Sequence, residues 1–464
     1  MKSPSRGTKV LALTSIGVAL VSLDVSIVNV AFGSLLGEWG KDSRRLLTWI
    51  FSGYNIAYAA GLLTAGRLAD AFGRKRAFLT GLVIFSIGST LCGLSVSPEM
   101  LVASRVLQAL GGAILTPASI ALVLPEFPVE KRAVAIGIWG AVAGLSAAMG
   151  PVVGGFLVEW FDWRSVFFVN IPFCILAFII GMRLLNESRD ETANKKVDIP
   201  GAVLAVGSVG LLTLAIVQSD EWGWFSATTT LVFAASLVFT IAFIYRCNTN
   251  AVPLLDLKLL KLPFVRAANL AGVVFSLGFY SMIFLNTQWL QTVWHYSTLR
   301  SGLAIFPGPF MAAVVAAPAG KIAQKYGHAK IIALGSVLFA GAMFAQNLLL
   351  DTTPHFWTLY FPCAFFTGVG VGFCVSTLSS SASAYLPPTR FAMGSALNTT
   401  SRQVGAALGL ATVSSLLSSA VADNNPIRGI QQGWIFVGIT ALATGVVMLL
   451  MYRRPTAEQL AAAA

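Results

Sequence analysis

The sequence predicts an all-α polytopic membrane protein with fourteen transmembrane helices, arranged as two pseudo-symmetric six-helix bundles plus two additional helices. Composition is the first observation behind this prediction. The 464-residue chain is 56% hydrophobic and only 11% charged, whereas soluble domains are about 25% charged. Length is the second, because the apolar runs match the roughly 20 residues that a helix needs to cross a bilayer. The third observation is that the apolar runs are continuous. This excludes a membrane β-barrel, because the strands of such a barrel alternate apolar and polar residues.

The fourteen apolar runs follow one another along most of the chain. The first run begins after a short basic segment, like a signal peptide, but it continues through Val30 without a small-residue cleavage site. We therefore interpret it as an uncleaved first span. The predicted spans are residues 10–32, 47–66, 77–96, 99–124, 133–157, 165–185, 199–217, 227–246, 266–290, 302–319, 331–350, 356–384, 392–418 and 433–452.

The distribution of basic residues predicts a multi-pass protein of the cell membrane with both termini in the cytoplasm. With the N terminus inside, the inner segments hold 23 of the 31 Lys and Arg residues and the outer loops hold 6. Cytoplasmic loops of membrane proteins are enriched in these residues. The net charge of +12 does not indicate a nucleic-acid partner, because the basic residues form short clusters between apolar runs.

Polar breaks divide the predicted spans into three parts. Residues 1–185 form an N-terminal six-helix bundle, 186–255 a cytoplasmic linker with two extra transmembrane helices, and 256–464 a C-terminal six-helix bundle with a short cytoplasmic tail. The two bundles echo each other, because GRLADAFGRKR at 66–76 matches GKIAQKYGHAK at 320–330. Parallel repeats of this kind are typical of secondary transporters, whose substrate site lies between the halves.

Asp24 is the only acidic residue well inside a predicted span. It lies about 21 Å along its helix from the inner edge near Val10, at 1.5 Å per residue, and Arg105 of the fourth span lies at a similar depth. A charged side chain there is costly unless it is paired or hydrated. One interpretation is a fixed ion pair that helps the helices pack. The interpretation that we favour is a protonation site, at which Asp24 releases its proton beside Arg105.

Polar residues at helical spacing mark several of the spans. Such side chains are not aimed at lipid, where no water satisfies their polar groups, so they are predicted to face the bundle interior. They could serve only as hydrogen bonds between helices, but we favour a wet central cavity for substrate. Arg402 has no obvious acidic partner and is a candidate to bind an anionic group, or Asp24 in one state. The predicted cavity residues are Asn29, Asn55, Tyr58, Gln108, Thr116, Asn269, Ser276, Tyr280, Asn398 and Arg402.

The predicted loop at 66–76 places an acid among basic residues. Its cations are typical of an inner membrane anchor, and its glycines allow a tight reversal of the chain. Asp70 can pair with a neighbouring cation or cap a helix. We interpret this loop as a cytoplasmic latch that opens when the two halves rock. The latch residues are Gly66, Asp70, Gly73, Arg74 and Lys75.

The predicted fifth span is rich in glycine and contains a proline. Small residues let a neighbouring helix approach closely, and a proline bends a helix or weakens its hydrogen bonding. Helix packing explains these residues in part, and the functional interpretation is a seal that limits leakage through the centre. The residues concerned are Gly150, Pro151, Gly154 and Gly155.

The sequence lacks the residues that several other functional classes require. The sequence has no G-x-x-x-x-G-K-[ST] segment to hold ATP phosphates. His295, His328 and His355 are too dispersed for a metal site. The five cysteines have no paired spacing and are interpreted as small core residues. We therefore expect no metal, no cofactor and no enzymatic activity.

The motifs together resemble the major facilitator superfamily, and within it the fourteen-span drug:proton antiporter branch. GRLADAFGRKR resembles the superfamily's signature after span two, with Ala71 where a basic residue is usual. LDVSIVNVAF (23–32) resembles the branch's first-span motif, although Ser26 stands where Thr is usual. Three further segments resemble motifs of this family. They are RVLQALGGAILTPAS (105–119) in span four, GPVVGG (150–155) in span five and WRSVFFVNIP (163–172) at the entry to span six.

This resemblance implies proton-driven export by alternating access, with protons as the coupling ion. Asp24 and Arg105 would carry the coupling, Asp70 and its basic neighbours would latch the cytoplasmic side, and the two extra spans would lie outside the transport path. Because acids are scarce in the spans, we expect lipophilic neutral or monocationic drugs or natural products as substrates. The alternative is a lipid or metabolite transporter of the same fold, with drug efflux incidental. Expected partners are the hydrophobic substrate and membrane lipid, with the protein a monomer.

Overall fold

The computed structural model describes residues 5–40, 43–189, 198–223, 225–250, 253, 258–383, 385–386, 391–422, 426–453 and 456. The N-terminal helices are α1 (Arg6–Trp39), α2 (Arg44–Phe72), α3 (Arg74–Gly93), α4 (Pro98–Val123), α5 (Val129–Trp160), α6 (Ser165–Phe168) and α7 (Asn170–Leu184). A central pair follows as α8 (Ile199–Trp222) and α9 (Ala227–Thr249). The C-terminal helices are α10 (Lys258–Lys261), α11 (Pro263–Gln288), α12 (Thr298–Ile305), α13 (Pro307–Tyr326), α14 (His328–Leu349), α15 (Phe361–Ser383), α16 (Phe391–Ala422) and α17 (Pro426–Met451). Of the predicted part at 186–255, most of the segment between the spans 165–185 and 199–217 lies outside the described residues.

Eleven helices among the described residues are long and apolar enough to cross a membrane. Segments Arg300–Ala316 and Pro318–Tyr326 form a twelfth candidate that bends by 49°, at a proline that cannot complete the helix's hydrogen bonding. The predicted spans 47–66 and 392–418 fall on α2 and α16, which are not among these twelve. The count covers only the residues that the structure describes. The structure supports an all-helical bundle with eleven or twelve candidate spans, and it does not support the predicted count of fourteen.

The turn between α2 and α3 is one residue long. Gly73 stands between the two helices with φ +114°, a backbone conformation that residues with a side chain rarely adopt. Gly327 makes the matching turn between α13 and α14 with φ +96°. The predicted extent of the 66–76 loop is therefore wrong, since Gly66 and Asp70 lie within α2. The helix continues because alanine and leucine surround them and only Gly73 interrupts the helical backbone.

The two halves of the molecule share a buried core at one end of the bundle. We call the end at which α1 begins the N-terminal end, and the opposite end the distal end. At the N-terminal end, one hydrophobic cluster joins Leu11 and Val123 to Phe264 and Leu397 of the C-terminal half. The other buried clusters of the described residues each draw on a single half. The hydrophobic cluster that joins the two halves therefore lies at the N-terminal end, and the other clusters each lie within one half.

The central pair α8 and α9 lies beside the seam between the halves. The two helices pack on each other through small polar residues, with the Ser208 and Thr240 hydroxyls 2.7 Å apart and Ser236 Oγ donating to the Ser208 carbonyl at 2.8 Å. On its other side α8 packs against α2 of the N-terminal half and α16 of the C-terminal half. This arrangement places the pair at the periphery of the bundle.

Asp198 ties the start of α8 to the end of α9. Its Oδ1 accepts from the Gly201 backbone N–H at 3.0 Å and from Arg246 Nε at 2.7 Å. Burial of the carboxyl group by itself raises the pKa of Asp198, but these hydrogen bonds lower that pKa below its ordinary value. The carboxylate therefore stabilises the folded protein fully above the ordinary aspartate pKa. This contribution is lost as the pH falls through the lowered pKa.

Substitution of Asp198 should separate its capping role from its charge. Asp198→Ala removes the helix cap and is expected to cost about 1–2 kcal/mol of unfolding free energy. Asp198→Asn keeps a capping oxygen and loses only the ion pair with the partly exposed Arg246, worth about 0.5 kcal/mol. Denaturant titration in mixed micelles measures both values. Equal losses for the two variants would show that the cap contributes nothing.

Candidate functional site

Asp24 lies on α1 with none of its surface exposed, and three side chains bind its carboxylate. Arg105 Nη1 donates to Asp24 Oδ2, so the pair predicted from depth along the helices is present. Gln108 Nε2 and Asn170 Nδ2 donate to Asp24 Oδ1 at 2.7 and 3.2 Å. Because Arg105 and Gln108 are three residues apart on α4, they project from the same helical face. Helices α1, α4 and α7 thus meet at one desolvated carboxylate.

The Arg105 guanidinium is held on all sides. Its Nη1 also donates to Gln108 Oε1 at 2.7 Å, and its Nε donates to the Ile50 carbonyl at 3.4 Å. The guanidinium lies over the Tyr54 ring, 4.1 Å from the ring centroid, in a cation–π contact. The bond from Arg105 fixes the Gln108 amide with its oxygen towards Arg105 and its nitrogen towards Asp24. Gln108 is therefore part of the charge site, where the sequence predicted a cavity residue.

Asn170 and Ser89 complete the site and were missed by sequence reasoning. Asn170 is the first residue of α7, and its Nδ2 lies 3.1 Å from Ser89 Oγ on α3. Ser89 Oγ in turn donates to the Phe167 carbonyl at 2.8 Å. The available signal was that Asn170 is an amide at the start of an apolar run, but only its motif was noted.

A row of polar side chains runs from the charge site towards the N-terminal end. Tyr54 stacks on Tyr58 with ring centroids 6.1 Å apart, and Tyr58 Oη lies 2.9 Å from Thr116 Oγ1. One turn further along α4, Ser119 Oγ accepts from Trp139 Nε1 at 3.0 Å. The predicted cavity residues Tyr58 and Thr116 are buried here and bonded to each other. The row connects α2, α4 and α5 on the N-terminal side of the Asp24 carboxylate.

The C-terminal half contributes polar residues from α11 and α16. Ser401 Oγ donates to Asn269 Oδ1 at 3.1 Å, and Asn269 Nδ2 donates to the Val265 carbonyl at 2.8 Å. Asn398 is buried, and Arg402 is half-buried on the same face of α16. Arg402 also lies within electrostatic range of Tyr58, across the boundary between the halves.

The predicted cavity residues thus fall into distinct environments. Ser276 is buried on α11, and Tyr280 is half-buried one turn further on, within electrostatic range of Tyr58. Asn29 and Asn55 are exposed, and Asn29 Nδ2 donates to the Val25 and Ser26 carbonyls of its own helix. The structure therefore does not bring Asn29 or Asn55 into the buried site. A polar residue in a span can satisfy itself on its own backbone, which spacing alone does not reveal.

The predicted latch contains an ion pair and an unexpected acid. Arg74 donates from Nε and Nη2 to Asp70 Oδ1 at 3.1 and 3.0 Å, and both side chains are buried. Glu187, from the segment after α7, accepts from the backbone N–H groups of Lys75 and Arg76 at 3.0 and 3.2 Å. A carboxylate at the start of α3 is stabilised by the unpaired N–H groups there. The end of the N-terminal half is thereby fastened to the α2–α3 turn.

The glycines predicted to form a seal lie where α5 meets α1. A Cβ added to Gly150 would come within 2.9 Å of the Ile27 backbone nitrogen, and one added to Gly154 within 3.0 Å of the Ile27 carbonyl oxygen. Pro151 faces the C-terminal half, 3.0 Å from the Cβ position of Gly302 on α12. Gly150 and Gly154 are buried, whereas Gly155 is half-buried. Close approach is therefore required at Gly150 and Gly154.

A bundle of apolar helices that buries a charge pair within its spans has the architecture of a membrane transporter. The family model described as Major Facilitator Superfamily matches residues 14–410 and again 268–464. The chain belongs to this superfamily, and it is a multi-pass membrane transporter and not an enzyme.

Its relatives include exporters of antibiotics. The chain is 31% identical over 417 residues to the tetracenomycin C resistance and export protein of Streptomyces glaucescens, covering 90% of this chain and 77% of that protein. It is 31% identical over 449 residues to the cephamycin export protein CmcT of Amycolatopsis lactamdurans, covering 96% and 92%. It is also 28% identical over 454 residues to the riboflavin transporter RibZ of Clostridioides difficile, covering 96% and 98%.

The fold is also found in solved structures. A crystal structure of the human organic anion transporter MFSD10 matches with a TM-score of 0.71, covering 96% of this chain and all of that one. Sequence identity in this comparison is 14%, so it shows the fold alone.

Proposed function

We propose that this transporter is a proton-driven antiporter that exports lipophilic drugs or natural products by alternating access. The observation that supports it most directly is the Asp24 carboxylate, which is fully buried inside a span and held by Arg105, Gln108 and Asn170. An ionisable residue in such a place is expensive to keep and marks an ion pathway by default. Relatives named as export or resistance proteins for antibiotics support the substrate class.

Protonation of Asp24 would act through the contacts around it. The charged carboxylate binds Arg105 and draws α1, α4 and α7 together. Addition of a proton removes the charge that Arg105 neutralises and frees the guanidinium. Since α1 also packs on the α5 glycines, a change at Asp24 is transmitted to the helix that contacts α12 and α13 of the other half. One proton moving down 100 mV would supply about 2.3 kcal/mol for each exchange.

The same proposal includes the number of spans, the side of the membrane on which the termini lie and the oligomeric state. Helices α2 and α16 contain 29 and 32 residues, so at 1.5 Å per residue they exceed a hydrocarbon core of about 30 Å. Counting both as spans gives the fourteen-span branch. Both termini would be cytoplasmic by the Lys and Arg asymmetry, in the plasma membrane, with a monomer as the transport unit. The N-terminal end would then be the cytoplasmic end, closed by the latch.

Asp24→Asn is expected to abolish proton-coupled transport. In proteoliposomes with an imposed pH gradient, the native protein should move rhodamine 6G against its gradient and a protonophore should stop it. The variant keeps the size of the side chain and loses its proton exchange, so gradient-driven accumulation should fall to the level of empty liposomes. Glu159→Gln, the same chemical change at an exposed position on α5, should leave accumulation unchanged. Full accumulation by Asp24→Asn would contradict the coupling role.

A second candidate function is transport of a metabolite, with drug efflux incidental. It is favoured by the similarity to a protein named as a riboflavin transporter over nearly the full length of both chains. Competition separates the two candidates: drugs and natural products should inhibit rhodamine 6G transport under the first, and riboflavin alone under the second.

A further inference from the structure

Four buried polar groups on α11 and α16 have no hydrogen-bond partner among the described residues. They are Asn398 Nδ2, Thr400 Oγ1 and Arg402 Nε on α16, and Ser276 Oγ on α11. Each can donate a hydrogen bond, and two of them can only donate. Buried donors without an acceptor cost free energy in any folded protein, and a cation without a counter-charge costs more. Such a set is expected where an acceptor arrives from outside the chain.

The side chains of Asn398 and Arg402 meet at one point on α11. The Cβ position of Gly272 is 3.4 Å from Arg402 Cγ and 3.5 Å from Asn398 Nδ2, so both side chains pack over this glycine. Arg402 and Asn398 are four residues apart and share a face of α16. Ser276 is one turn beyond Gly272 on the same face of α11. The site is therefore a compact group of donors at the boundary between the halves.

Within the part of the chain that the structure describes, no acidic side chain pairs with these donors. Among the described residues, no carboxylate lies within ion-pair distance of Arg402. The phenol of Tyr58 is within electrostatic range of Arg402, and Tyr280 is within electrostatic range of Tyr58. Asp24 is occupied by Arg105, Gln108 and Asn170. Occupation of Arg402 by Asp24 would first require the loss of those three bonds.

We propose that Arg402 and Asn398 bind the acidic head of an amphiphilic organic anion, such as a carboxylate, sulfonate or enolate, while the aromatic rings of Tyr58 and Tyr280 contact its apolar body. This site names the substrate class and so rests on the proposed function. It departs from the neutral or monocationic substrates expected from the scarcity of acids. That expectation rested on the number of acids in the spans and did not consider Arg402, whose positive charge favours an anion.

The test uses two xanthene dyes of opposite charge, fluorescein as the anion and rhodamine 6G as the cation. Equilibrium binding to the purified full-length protein in detergent is measured by fluorescence anisotropy at pH 7.5. Arg402→Gln should weaken fluorescein binding by about tenfold or more, the effect of losing one charge-assisted hydrogen bond, and should not weaken rhodamine 6G binding. Arg402→Lys should restore most of the fluorescein affinity. Arg300→Gln, which alters an exposed cation at the distal end, should change neither.

Dye binding by two further variants tests the site without changing its charge. Asn398→Leu and Ser276→Ala remove single donors without altering charge, so each should weaken fluorescein binding by a smaller factor even if Arg402→Gln fails to fold. Equal loss of both dyes in all variants, or native protein that does not bind fluorescein, would overturn the site. Proton coupling is tested separately through rhodamine 6G transport by Asp24→Asn. If that variant fails to affect transport, the proposed coupling falls, while the equilibrium binding result still decides on the anion site.

Discussion

Arg105→Gln is expected to abolish transport and to destabilise the protein strongly. Arg105 and Asp24 have 1% and 0% of their side chains exposed, so the variant leaves a desolvated carboxylate without its counter-ion. Breaking a buried ion pair in this way typically costs about 3–5 kcal/mol. If Asp24 instead avoids this cost by keeping a proton permanently, it cannot exchange that proton. Transport driven by a pH gradient is lost in either case.

The double variant Asp24→Asn with Arg105→Gln should recover the stability but not the transport. It replaces two charges with two amides of similar size, and neutral replacements of buried pairs are often tolerated. The free energy of unfolding in mixed micelles, measured for the native protein, both single variants and the double variant, gives the coupling energy of the pair. We expect at least about 3–5 kcal/mol, because recovery in the double variant requires the coupling energy to cancel the full cost of breaking the buried pair. Additive effects would contradict a direct interaction between the two side chains.

The Asp24–Arg105 pair was predictable from the sequence because charge in a bilayer is rare and costly. With one acid inside the spans, depth along the helices was enough to select its partner. Uncharged polar residues are different, since the spans contain many and each costs little when it bonds to its own helix. Asn170 and Ser89 were therefore not distinguished from other polar residues, although they complete the same site.

Helical spacing predicted which face of a helix is polar, but not what that face contacts. Gln108 and Thr116 belong to one stripe on α4, yet Gln108 binds Asp24 and Thr116 binds Tyr58. Glu187 was not predicted either, because its bonds to the start of α3 depend on where the chain returns after α7. Contacts of this kind are set by tertiary packing, which a single sequence does not specify.

Gly150→Ala is expected to damage the contact between α1 and α5. The new Cβ would lie 2.6 Å from Ser26 Cβ and 2.9 Å from the Ile27 backbone nitrogen, and neither atom can rotate away. Overpacking of this kind typically costs about 1–3 kcal/mol. Gly144→Ala is the matched control on the same helix, because its new Cβ would meet nothing within 4 Å. It should instead raise stability by about 0.5–1 kcal/mol, since alanine favours a helix more than glycine does.

The functional effect of Gly150→Ala should exceed its effect on stability. Ser26 and Ile27 follow Asp24 by two and three residues, so a displacement of α1 from α5 also moves the carboxylate relative to Arg105. Rhodamine 6G accumulation driven by a pH gradient should therefore fall severalfold in protein that is still folded, as judged by its unfolding transition. Gly144→Ala should transport like the native protein. If Gly150→Ala lost stability but kept normal coupling, the α5 glycines would serve helix packing alone, and the link from Asp24 to the opposite half would have to run through another helix.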